Sequence, residues 1–160
     1  LVGSEMGIRD RSEDIKFRRC DMNAKEYLMQ AKFLDMRINS KIQQVEALND
    51  LATSASSVLT GMPRNPNKAT SKMADAVCKI VDLQAEINRD IDELVDLKKE
   101  ISYTIKAVPS PELQTLLEKR YLCFQSWEVI AVDMGYSMHH LYKLHNQALD
   151  ICDGILKRDT

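Results

Sequence analysis

Glycine and proline are scarce in this chain, with five and four in 160 residues, and aromatic residues make up only 6%. Such a profile excludes a collagenous, disulfide-rich or wholly disordered chain and fits a helix-rich, soluble protein. The length suits one ordinary domain or two small ones. The few cysteines, Cys20, Cys78, Cys123 and Cys152, form no C-x-x-C pair and match no zinc template. Free thiols in a reducing cytosol are expected. No apolar run approaches the roughly 18 residues needed to span a membrane, and no signal-peptide stretch opens the chain. A cytoplasmic location without a membrane partner is therefore expected. An excess of one charge is also lacking: the formal net charge is −2. The total therefore points to neither nucleic acid nor membrane, and local distribution must carry that argument.

Residues 1–21 hold five basic and five acidic residues with no clear apolar period, so disorder is expected. The segment reads either as a native extension or as a fusion-tag remnant with its scar at Gly3-Ser4, Met22 being the natural start in the second case. Residues 22–108 read as a long antiparallel helical hairpin. From Asn23 onward Ala31, Leu34, Ile38, Ile42, Val45, Leu48 and Ala52 recur at spacings of three and four, one apolar stripe on a helix of roughly eight turns. The Ser/Thr cluster, Gly61, Pro63 and Pro66 mark a loop over 53–67, part of which can continue the helix. A second stripe begins near Thr70. Met73, Ile80, Ile87, Leu94 and Ile101 stand seven apart, with Val77, Leu83, Ile91, Leu97 and Ile105 between them. Two such helices fold back on each other, and sustained heptads also permit a coiled coil between chains. A homodimer through the hairpin is expected.

Pro109-Ser110-Pro111 separates residues 109–160, which read as a three-helix unit. A helix from Pro111 would bury Leu113, Leu116, Leu117, Tyr121 and Leu122, with Glu112 favouring its start. Ser126 can cap a second helix, Gly135 can supply the left-handed residue that ends it, and Ser137 can cap a third, running from Met138 to about Leu156. Two helices joined by a three-residue turn containing glycine make a helix-turn-helix. Ala131 is small enough for a close crossing, with Ile130 and Met134 on the core side. Leu141 and Leu144 hold the third helix inward, and Ala148, Ile151 and Ile155 continue its buried stripe.

At 3.6 residues per turn, His139, Tyr142, Lys143 and Asn146 then point outward, with Ser137 and Met138 at the helix start beside them. These residue types suit a major groove. Asn can bond adenine bidentately and Lys can reach guanine or phosphate, while Tyr, His and Ser can donate to bases or phosphates. His139 and His140 diverge by about 100° and make a poor chelate. His140 and His145 are five apart, so surface or DNA-facing histidines are expected rather than metal ligands. Trp127 reads as a packing residue. No Gly-rich phosphate loop, catalytic triad or carboxylate cluster occurs, so neither enzymatic activity nor a cofactor is expected. Residues 109–160 balance five Lys/Arg against seven Asp/Glu. Since phosphate neutralisation supplies most affinity for DNA, one copy alone should bind weakly. Residues 22–70 carry six basic against four acidic residues, and Arg64 and Lys68 could touch a DNA backbone.

The segments "LLEKRYLCFQSWEVIAVDMGYS" and "LYKLHNQAL" resemble the fourth region of bacterial sigma factors, the helix-turn-helix that reads the −35 promoter element. The upstream "KEYLMQAKFLDMRINSKIQQVEAL" and "KIVDLQAEINRDIDELVDLKKEI" resemble small helical proteins of phages and prophages of Gram-positive bacteria, similar in outline to late-gene regulators of the ArpU and RinA kind. The resemblance implies a transcription regulator of phage or prophage genes in the bacterial cytoplasm. It would bind double-stranded DNA as a dimer or with host RNA polymerase, through Ser137, Met138, His139, Tyr142, Lys143 and Asn146. The reading helix departs from the sigma pattern in carrying only Lys143 before Lys157 and Arg158. A protein-interaction or oligomerisation module, and a phage DNA-packaging recognition subunit, are the competing readings.

Overall fold

The computed structural model describes residues 22–57 and 66–158. The disorder expected over 1–21, the centre of the expected loop and Arg64 lie outside the described residues, as does the side chain of Lys68. Among the described residues the protein is all-helical: α1 (Ala24–Ser57), α2 (Pro66–Lys106), α3 (Pro111–Leu117) continuing into a π-helical turn (Glu118–Leu122), α4 (Trp127–Met134) and α5 (Met138–Leu156). No helix among them is long and apolar enough to cross a membrane.

The start of α1 is a capping box: Glu26 N–H donates to Asn23 Oδ1 at 2.9 Å, and Asn23 N–H donates back to Glu26 Oε2 at 3.3 Å. The expected loop is shorter at both ends. α1 runs through the Ser/Thr stretch to Ser57, and α2 begins at Pro66 rather than near Thr70, since proline is pre-organised for a first helical position.

The described chain divides into two compact units, one of residues 22–32 and 98–158, the other of Phe33–Leu97. In the Phe33–Leu97 unit, α1 and α2 run antiparallel. Arg37 pairs with Asp90 at 3.2 Å, and Lys41 pairs with Asp90 at 2.8 Å and Glu86 at 3.0 Å. Leu34 and Ile38 are buried, as are Ile80, Ile87 and Leu94. The stripes are narrower than the sequence suggests. Ile42, Met73, Val77 and Ile91 are exposed, because two helices alone can cover only one seam of each other.

In the other unit the first turns of α1 bury Ala24, Tyr27 and Leu28, the end of α2 buries Ile101 and Ile105, and the turn after it buries Val108. Leu113, Leu116, Leu117 and Tyr121 are buried as the spacing requires, while Leu122 is only half-buried. The helix from Pro111 is not uniformly α: its last turn widens into the π segment that carries Tyr121. It closes on Phe124, which takes a left-handed φ of 56°. Arg120 donates to the Gln125 carbonyl at 2.8 Å and steadies that turn. The cysteines at 78, 123 and 152 are free thiols; Cys152 is fully buried, and burial pushes its thiol up to about 11.

Candidate nucleic-acid interface

Two capped ends fix α4 and α5. Ser126 Oγ accepts from Val129 N–H at 3.4 Å, and Ser137 Oγ accepts from His140 N–H at 3.3 Å. Between the helices Gly135 adopts φ 69°. Its N–H donates to the Val132 carbonyl, and Tyr136 N–H donates to the Ala131 carbonyl at 3.0 Å. This paired arrangement satisfies carbonyls that the end of α4 would otherwise leave open. Ile130 is fully buried, whereas Ala131 and Met134 are half-buried.

α5 turns Leu141, Leu144 and Ala148 inward. The inner stripe then drifts: Cys152 and Leu156 are buried, whereas Ile151 and Ile155 are half-buried. His139, Tyr142, Lys143 and Asn146 are all exposed, with Ser137 exposed and Met138 half-buried at the helix start. The six candidate residues therefore share the first two and a half turns of one helix. Tyr142 is anchored as well as exposed, its ring 5.1 Å from that of Trp127. His140 is exposed and meets the Tyr136 ring edge-on at 4.9 Å.

His145 departs from the surface position expected of it. It is only 6% exposed, and its Nε2 shares a 2.8 Å hydrogen bond with the Tyr121 hydroxyl. Burial lowers His145 to about 4 and raises Tyr121 to about 12, so both are neutral near pH 7. Trp127 closes this pair edge-on at 4.8 Å, and the Arg120 guanidinium lies 4.6 Å over the indole. Trp127 is thus the packing residue expected, joining α4, α5 and the π turn.

Two further cations lie beside α5. Lys25 and Arg120 both act electrostatically on His145. Lys25 reaches α5 because the first turn of α1 docks on it, Ala24 N–H donating to Asp153 Oδ1 at 2.5 Å. No spacing rule connects positions so far apart in the chain. Several of the acidic groups are engaged internally. Asp133 pairs with Lys119 at 3.0 Å, Asp153 holds Ala24, and Glu112 accepts from the Tyr136 hydroxyl. Asp150 is exposed one turn beyond Asn146. Chemically the surface offers amide, hydroxyl, imidazole and ammonium groups for hydrogen bonding, with cations at its margin. No family model, curated protein or solved structure matches the chain.

Proposed function

We propose that the protein is a sequence-specific DNA-binding regulator of phage or prophage transcription, with α5 as the reading helix. One observation carries the proposal: Ser137, His139, Tyr142, Lys143 and Asn146 form one exposed strip on a helix whose other side is locked in the core. A helix held this way can enter a major groove without rearrangement, and its first two turns carry groups able to read base edges. The likeness to the sigma fourth region and to phage regulators supports the same reading. Lys143 is the one cation on the strip, so phosphate neutralisation by a single copy is small. Two copies, or host RNA polymerase as a second anchor, would supply the remaining affinity through effective concentration.

The test is selection from random duplex DNA, with the chain alone and again with host polymerase. An enriched motif in either arm supports the proposal. No motif in either arm, with cellular function unaffected by Lys143→Ala and Asn146→Ala, defeats it. The interaction-module reading, which the exposed Val129 and Val132 on α4 favour, then replaces it.

A further inference from the structure

α2 carries a second heptad stripe that α1 does not cover. Val77, Val81, Gln84, Asn88, Ile91 and Val95 follow one another at spacings of four, three, four, three and four. That is the spacing of a coiled-coil seam. Val77 is 48% exposed, Val81 57%, Ile91 41% and Val95 47%, and Gln84 and Asn88 are exposed between them. The stripe is distinct from the covered seam of Ile80, Ile87 and Leu94. It also lies away from the ion pairs: Asp90, which holds Lys41, and Ile91 are consecutive and so point about 100° apart.

No charged residue falls on the stripe over its length of about 27 Å, taking a rise of 1.5 Å per residue. Asp82, Glu86, Arg89 and Glu93 occupy the other positions of the same turns. The stripe itself offers a highly charged partner, such as nucleic acid or an acidic peptide, no charge to pair with; the exposed Asp92 stands at its edge. The order along the stripe is two apolar residues, two amides, two apolar residues, and it reads the same from either end. A second α2 therefore matches it in both directions. Laid parallel, Gln84 meets Gln84 and Asn88 meets Asn88; laid antiparallel, Gln84 meets Asn88, Val81 meets Ile91 and Val77 meets Val95. In each case amide faces amide and apolar faces apolar. Central amides in an apolar seam are a known device for fixing register and partner number at some expense of stability.

We propose that this face of α2 is the self-association surface, and that its occupant is the same face of a second copy of the chain. The inference names the contact surface for the two-copy reading above, and it is measured without DNA. Failure of either claim is therefore separable from failure of the other.

Sedimentation velocity on the full chain, from about 1 to about 100 µM, reads the result directly. The chain should sediment as a dimer, and Val81→Glu/Ile91→Glu should weaken association at least tenfold with helicity by circular dichroism unchanged. Phe33→Glu/Leu51→Glu, on exposed residues of α1, should leave the dimer intact. Asn88→Leu should tighten association at least tenfold by replacing the seam amide. A monomer at about 100 µM, or a dimer that Val81→Glu/Ile91→Glu leaves intact, overturns the proposal, as does a dimer that only the α1 variant dissolves. Should Val81→Glu/Ile91→Glu lose helicity, Asn88→Leu decides: tighter association supports the surface and unchanged association rejects it.

Discussion

His145 is the residue on which the C-terminal core turns. Its imidazole is buried and neutral, bonded to Tyr121 and closed by Trp127. Because burial holds it at about 4, below the ordinary value of 6.5, the unfolded chain takes up a proton at a higher pH than the folded one. Stability is therefore unaffected by this group above about pH 6.5 and falls as pH drops from about 6.5 towards about 4. A shift of this size corresponds to roughly 3 kcal/mol. Urea unfolding between pH 7 and pH 4.5 should show that decline, and His145→Phe should flatten it; parallel curves for the two proteins would refute the assignment. Tyr121→Phe should cost about 1–3 kcal/mol near pH 7, since it strands a buried ring nitrogen. Neither residue announces this pairing in the sequence. They are 24 positions apart, and a histidine between the inward Leu144 and the outward Asn146 has no helical position that marks it as buried.

At the scale of elements, the turn between α4 and α5 was readable because its chemistry is local. Ser126, Gly135 and Ser137 each act within three or four residues of themselves, and each does what its type and position suggest. The open space around Gly135 means that an added Cβ meets no atom within 4 Å. Gly135→Ala should therefore cost only the left-handed backbone penalty of about 1–2 kcal/mol, measurable by thermal melting; a much larger loss would imply a packing role. The capping box of Asn23 and Glu26 is equally local, closed within the four residues "NAKE". The π turn and the left-handed Phe124 were not legible, since their cause is tertiary: Tyr121 reaches His145, and the Lys98 ammonium sits 4.6 Å over the Phe124 ring. In the antiparallel pair, the Lys41 hydrogen bond, and then Arg37, hold the Asp90 carboxyl below the usual range. A carboxyl lowered in this way stabilises the pair above its unfolded value near pH 4 and loses that contribution as pH falls further. Asp90→Asn should remove the part of the acid sensitivity below about pH 4, a window separate from that of His145. An Asp90→Asn protein with undiminished acid sensitivity there would remove Asp90 as its source.

For the whole molecule, periodicity gave the helical class and the two long helices, but not which half of each wide stripe is covered. Coverage depends on the number of helices packed together, and a single chain supplies two over Phe33–Leu97. The same limit applies to the outer surface of α5. Helical spacing placed Tyr142, Lys143 and Asn146 outward, whereas Lys25 and Arg120 reach α5 only through folding. The charge deficit of the C-terminal residues is thus partly offset by a neighbour from the first helix. In DNA binding, Lys25→Ala should weaken all sequences alike and lower the salt slope by about one, as loss of one phosphate contact does.

If α5 reads base edges, as proposed, the base-by-base specificity of Asn146→Ala against the unaltered protein is the measurement that decides it. Binding should be measured on a selected site and its single-base variants, with polymerase present if selection required it. Asn146→Ala should lose about 1–3 kcal/mol on the preferred site and relax discrimination at one or two adjacent base pairs. Preference elsewhere in the site should be retained. An unchanged specificity profile, or an equal loss on every sequence, would contradict a reading helix built on this face.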